Sequence, residues 1–517
     1  MPRVDTDLAD FVPFAEESAP MAVFAKPWAV AGVAILVGLA IDTVALHQPP
    51  GLGLMLGLWL ALLVAGSLTW LLGVPRPKMA LPVLVAGLTV AAFVGIRTSP
   101  VLLTLNIATA LGLVAVLAQL HKAGGISGWT IVRYWRQPFA TLGDMVAGSS
   151  RFIAIDLRDG FGEDHSKRLR SVALGLLLGV PLLIVFGGLF ASADLVFGDY
   201  LNRLATSVLF GSVFWRGALS LATALAVAGL WRTARGPRHV SQAQAHRRRL
   251  DPTTGVTVLA LLIMLFLLFV LTQVIGHDPE LVRIADYSEN ARRGFFQLVV
   301  VALLVLNVLL AFDWLTRTDN GRRSPAFDRL AVVLIILTGI VMLSALERMR
   351  VYVTAFGFTE LRFYTTVFMF WLAFVLVWFI RTVLRNRHAL FAAGLMASGL
   401  VFIIGLNVAN PDAMIVRLNW DRQANGSSFE DRYNSELSVD SVLTLIAIRE
   451  SEPVGRWCFI EERLLAAQRD LDSYWRDHGL LGDSWAAWRV RTALADLDLS
   501  PAIGLDCGDP RAANRND

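Results

Sequence analysis

The side chains of this chain that could do chemistry gather in two short polar segments of an otherwise apolar sequence. The first, 277–294, carries His277, Asp278, Glu280, Arg283, Asp286, Tyr287, Glu289, Arg292 and Arg293. The second, 347–362, carries Glu347, Arg348, Arg350, Tyr352, Glu360 and Arg362, and Asn407, Asn410 and Asp412 follow a later apolar run. Arginine forks bind carboxylate and phosphate groups in two-point geometry, so converging segments of this kind could hold an anion. Glu289, Glu347 or Asp412 could serve as a general base, with Arg348 or Arg362 on a phosphate. The same side chains also suit ion pairs that only tie loops together, and both readings stand.

A second kind of candidate lies inside an apolar run. Arg216 sits nine residues into the stretch 207–231, roughly 13 Å deep at 1.5 Å per residue. An ionisable group at that depth is costly and calls for a partner. Asp42 and Asp194 are the acids available on the same side. Snorkelling along its own stem, a structural ion pair and a functional role are the three uses open to it. Asn307 is also deep, where an amide commonly bonds a neighbouring helix.

Other chemistries leave no trace. The sequence holds no phosphate-binding Gly-rich loop with a Lys, no HExxH, no paired CxxC and no GxSxG. The eight histidines are scattered, so no metal site and no cofactor are expected. Cys458 and Cys507 are the two cysteines. They are expected to form a disulfide if they face an oxidising compartment, with two free thiols as the alternative.

The elements that must position these residues are membrane helices. Of 517 residues 55% are hydrophobic and 17% charged, against about 25% charged in a soluble globular chain. Apolar runs at 27–46, 51–72, 79–97, 101–120, 170–192, 207–231, 254–275, 295–315, 327–346, 363–384 and 387–407 are each long enough to cross a hydrocarbon core of about 30 Å. The expected fold is therefore all-α: a polytopic transmembrane bundle of about eleven spans, residues 27–408, with the bilayer as its first partner. Alternate loops are basic: Arg76 and Lys78; Lys122 through Arg168; Arg232 through Arg249; Arg317 through Arg323; and Arg381 through Arg387. Positive loops stay in the cytoplasm, which puts the N-terminus inside and the C-terminus outside. The net charge of +4 then has a membrane explanation, and no nucleic-acid partner is expected.

Flanking segments follow. Residues 1–26 are acidic and lack the basic start of a secretory signal; they read as a disordered cytoplasmic leader. Segment 121–169, with Trp129, Tyr134, Trp135 and Phe139 among arginines, suggests one or two interfacial helices. Segment 277–294 suggests an amphipathic helix that turns at Gly294 into the next span. Residues 409–517 form a small outer domain, with 19 Asp and Glu against 12 Arg from Asn410 onward. Helices are expected there from a Ser438 cap to Ile448, over Glu461–Asp477 and over Asp483–Leu497. Trp475, Trp485 and Trp488 fall at helical spacing and read as packing residues.

Two stretches, Tyr287–Leu298 (YSENARRGFFQL) and Glu347–Thr365 (ERMRVYVTAFGFTELRFYT), resemble the bacterial domain-of-unknown-function family numbered 4173. The positions that carry the resemblance are Tyr287, Arg292 or Arg293, Gly294, Phe295, Gln297 and Leu298, then Arg348, Met349, Tyr352, Gly357, Thr359 and Arg362. The resemblance spans about 170–385 and implies a bacterial inner-membrane protein, with no activity attached. Three functions stay open. The first is a non-catalytic sensor or assembly partner that meets another envelope or membrane protein. The second is a transporter or channel for a polar or anionic solute, and the third is a membrane-embedded transferase acting at the outer face.

Overall fold

The computed structural model describes residues 27–46, 49–71, 79–123, 131–152, 213–234, 252–275, 284–315, 324–423, 431–451 and 458–499. Among these every regular element is helical. The helices, numbered in chain order, are α1 (Pro27–Ile41, continued by a π-helical turn Asp42–Leu46), α2 (Leu52–Leu71), α3 (Ala80–Ile96), α4 (Pro100–Ala123), α5 (Ile131–Arg151) and α6 (Val213–Ala234). Then come α7 (Pro252–Ile275), α8 (Ile284–Leu315), α9 (Pro325–Phe356), α10 (Glu360–Thr382) and α11 (His388–Ala409). The last set is α12 (Pro411–Gln423), α13 (Asp431–Ser435), α14 (Val442–Ser451), α15 (Cys458–Gly482) and α16 (Trp485–Ala495). The leader 1–26, the run 170–192, Asp194 and Cys507 lie outside the described residues, as does the side chain of Cys458 and with it the expected disulfide.

Six helices among the described residues are long and apolar enough to cross a membrane, within α4, α7, α8, α9, α10 and α11. Their surfaces agree with their composition. On α7, Leu261, Met264, Leu265, Leu268 and Leu271 are each more than half exposed. A continuous apolar face of this kind is stable against lipid and not against water. The protein is membrane-embedded.

Three packed groups make the body. In one, α6 lies against α1 and α5; in another, α2, α3 and α4 pack together; in the third, α9 packs with α7, α8 and α10. Helix α11 packs on α10 and reaches α3 and α4. The amphipathic α5 packs along α6. Gly148 and Gly229 let the two backbones touch, since a Cβ on either would collide with the other helix's main chain. Ser149 Oγ donates across the contact to the Leu225 carbonyl at 2.6 Å.

Two elements are longer than the hydrophobic pattern suggests. No turn forms at Gly294: α8 is continuous over 32 residues. Likewise α9 runs 32 residues, through Glu347–Phe356. A glycine inside a helix costs only about 1 kcal/mol, whereas breaking the helix there frees backbone groups that must find new partners. Asn307, expected to join helices, is exposed and donates to Leu303 O of its own helix at 2.8 Å. Trp231 is buried and meets Phe152 edge to face at 5.9 Å.

The C-terminal helices share a core with the membrane helix ends. Leu102 of α4, Phe363 of α10 and Leu406 of α11 pack in one cluster with Ile415, Val416, Leu445, Ile460, Leu464 and Val490. Within the tail, Arg449 Nε reaches both oxygens of buried Glu461 at 3.0 Å and ties α14 to α15.

Candidate functional site

Among the described residues, a set of polar side chains converges where the tail meets the ends of α3, α4, α9, α10 and α11. The chain turns sharply twice here. Asn410 takes a left-handed conformation (φ 52°) at the end of α11, and Pro411 then starts α12 with its φ already helical. Gly357 closes α9 with φ 75°, a conformation that favours glycine. Asn419 of α12 holds that turn: its Oδ1 accepts from Phe358 N at 2.7 Å and its Nδ2 donates to Phe358 O at 2.9 Å. Arg422 adds a bond to Val353 O at 2.6 Å, and Tyr433 OH accepts the Glu360 amide at 2.9 Å.

Asp440 is the centre of the second contact. Its Oδ2 accepts the amides of Thr98 and Ser99 at 2.8 and 2.9 Å. It thereby caps α4 from a distant part of the chain, and a carboxylate at a helix start is favoured by the helix dipole. Its own amide bonds Thr98 Oγ1 at 3.1 Å, and Arg97 lies 3.7 Å from Oδ1. Arg97 also donates to Asn407 O. Asn410 Nδ2 donates to Asp440 O at 3.0 Å. Nearly two turns into α4, Asn106 exchanges amide hydrogen bonds with Asn407 at 2.9 and 2.8 Å, both fully buried.

Asp412 lies beside this core and is wholly buried. Ser438, expected to cap its own helix, makes no such bond; its hydroxyl donates to Asp412 Oδ2. Burial pushes the Asp412 carboxyl above the usual carboxylate range, and the nearby Asp440 charge adds to this, while the hydroxyls of Ser438 and Ser99 pull it back. The Ser99 hydroxyl lies beside both Asp412 and Tyr364, yet makes no hydrogen bond of ordinary geometry to either. Ser99 Oγ, Tyr364 OH and Asp412 Oδ1 are all buried without a hydrogen-bond partner. Such an arrangement favours the protonated form of Asp412. Among the described residues no group of three His, Cys, Asp or Glu is placed to hold a metal ion.

The residues singled out in the sequence divide between this junction and other places. Tyr352 and Arg362 meet, the guanidinium 4.3 Å from the ring centroid. Arg362 is also committed to the Phe356 and Gly357 carbonyls at the end of α9. Glu347 pairs with Arg350 at 2.9 Å on the open surface of α9, and Arg348 follows it on that helix. Tyr287, Glu289, Arg292 and Arg293 fall in the first turns of α8; their side chains lie outside the described residues. Arg216 is 3.3 Å from buried Asp42, in the π-helical turn after α1. Sequence reasoning missed Arg97, Ser99, Asn106, Tyr364, Asn419 and Asp440. Asn106, an amide inside an apolar run, carried the same signal as Asn307.

Fold and junction together define an all-helical membrane-embedded protein with a helical tail seated on one end of its bundle. The family model described as Domain of unknown function (DUF4153) matches residues 80–448, and the chain belongs to that family. The match does not carry the finer assignment to the family numbered 4173. It reaches beyond the stretch 170–385 at both ends and takes in every junction residue from Arg97 to Asp440, while α15 and α16 lie past it. No curated protein and no solved structure matches the chain.

Proposed function

We propose that this is a multi-pass protein of the bacterial inner membrane, with about eleven spans, its N-terminus inside and its tail outside. We propose further that it acts as a non-catalytic sensor or assembly partner: the tail engages an envelope or membrane protein, and the junction passes displacement of the tail to the helices. The observation that supports this best is the seating of Asp440, one tail side chain that holds the α3–α4 turn through two amides and an arginine. A tail coupled this tightly to several helix ends cannot move without moving them. The competing readings have less support. Arg362 is spent on helix-end carbonyls and on Tyr352, and Arg216 faces Asp42, so neither is set out to receive an anion.

Photo-crosslinking in living cells from the exposed tail positions Asp472 and Arg476 tests the reading. One reproducible protein adduct is expected, altered in an Asp440→Ala variant that still inserts. Crosslinking to no protein, with the chain purified alone from mild detergent, would overturn it. A reporter active only in the cytoplasm, fused after Asp517, is expected to be silent; activity there would overturn the proposed topology.

A further inference from the structure

The tail carries an apolar feature that its own core does not use. At Gly479 (φ 61°) α15 kinks, and the chain turns through Asp483 into α16. Leu480 is 62% exposed, Trp485 51% and Trp488 42%. The two indoles stack on each other with centroids 4.8 Å apart, so the sequence-based expectation that they pack inside the tail is not met. Exposed Arg489 lies one residue beyond Trp488 and four beyond Trp485, on the same side of α16.

This elbow is rigid and its height is set. Ser484 caps α16, its Oγ accepting Ala487 N at 3.1 Å. Asp483 Oδ2 accepts from Arg491 at 3.0 Å, and the Arg491 guanidinium lies 4.1 Å from the centre of the Trp475 ring. The Asp483 carbonyl accepts the amide of Leu52 at 2.9 Å, so the elbow sits directly on the first turn of α2. Gly51 is needed there, because a Cβ would press on the carbonyls of Gly482 and Asp483. Helix α2 is 20 residues long and mainly apolar, about 30 Å of rise; read as a membrane span, its first turn lies at the edge of the hydrocarbon layer. Trp485 is two residues from Asp483 and therefore within about 7 Å of that level.

We infer that the α15–α16 elbow is a lipid anchor, placing Leu480, Trp485 and Trp488 in the headgroup region of the bilayer that holds α2. Indole rings favour this layer because one edge is apolar and the N–H can stay hydrated. An arginine beside them matches lipid phosphate. A protein partner or a second copy of the chain would meet the same face only by displacing the lipid that continues from the flank of α2, where Leu56 and Leu63 are exposed. The inference rests on the membrane reading of α2 and not on the proposed partner of the tail.

The test uses the full chain labelled with 5-fluorotryptophan in phosphatidylethanolamine–phosphatidylglycerol vesicles. Fluorine resonances of Trp485 and Trp488 are assigned from the W485F and W488F variants, each of which leaves the other indole to report. The expected result is strong broadening of both resonances by lipid carrying a nitroxide at carbon 5 of its acyl chain, and weak broadening by an aqueous gadolinium chelate. Strong broadening by the chelate alone would place the elbow in water and overturn the inference. Insensitivity to both agents would mean protein covers the pair, and would overturn it equally.

Discussion

Replacing Asp440 by alanine removes a side chain that is fully buried and serves three groups at once. The Thr98 and Ser99 amides lose an acceptor at 2.8 and 2.9 Å, and Arg97 loses a carboxylate at 3.7 Å. Hydrogen bonds to a charged group contribute about 1.5–3 kcal/mol each. Removing one member of a buried charged set costs about 3–5 kcal/mol, and about 4 kcal/mol is a fair value here. Undocking of the tail breaks these contacts, so its free energy should fall by that amount. At 1.4 kcal/mol per tenfold, the undocked population rises by about three orders of magnitude. Native-state proteolysis of the tail reads that population when opening and closing outpace cleavage. Asp440→Asn keeps an acceptor for the amides but loses the charge facing Arg97, and should accelerate cleavage only about tenfold, corresponding to ~1.4 kcal/mol. A tail of Asp440→Ala cleaved as slowly as wild type, with helix content unchanged, would refute the reasoning.

Three further outcomes follow from the same geometry. Asn407→Leu strands the buried amide of Asn106 and should cost about 1–3 kcal/mol, whereas the double change to leucine at 106 and 407 should recover much of it; thermal unfolding in detergent compares the two. Gly148→Val drives a side chain into the Gly229 backbone and should cost about 1–3 kcal/mol or separate α5 from α6, seen as a lost crosslink between cysteines placed on the two helices. Asp412 is held protonated above its ordinary range by burial. Between about pH 4, where a free aspartate titrates, and the raised folded value, the folded chain keeps a proton that the unfolded chain has released. Stability should therefore fall as pH rises through that window, and Asp412→Asn should flatten this part of the profile in pH-dependent thermal melts.

Apolar runs located most of the helices in advance. The elements expected at 51–72, 79–97, 254–275 and 387–407 appear within two residues of their bounds, because a membrane helix must satisfy its backbone internally and its length follows from the bilayer. Where the runs ended, the pattern misled. Glu347–Phe356 and the turns before Gln297 are polar, yet they extend α9 and α8, since a helix outside the apolar layer still favours its own hydrogen bonds. Neither the helix end at Gly357 nor its clamp by Asn419, 62 residues later, was legible.

By itself, then, the amino-acid sequence determined an all-helical membrane chain, the approximate helix bounds and the polar character of the segments around 347–362 and 407–412. Those properties depend on local composition and on the thickness of a bilayer. Only the tertiary structure decided that Arg97, Asn106, Asn407, Asp412 and Asp440 form one buried junction, because their pairings cross up to 342 residues of chain. It likewise decided that Ser438 turns from its own helix to Asp412, and that Trp485 and Trp488 stay exposed. A hydrogen bond or a buried face is a relation between two elements, and no single stretch of sequence holds both sides of it.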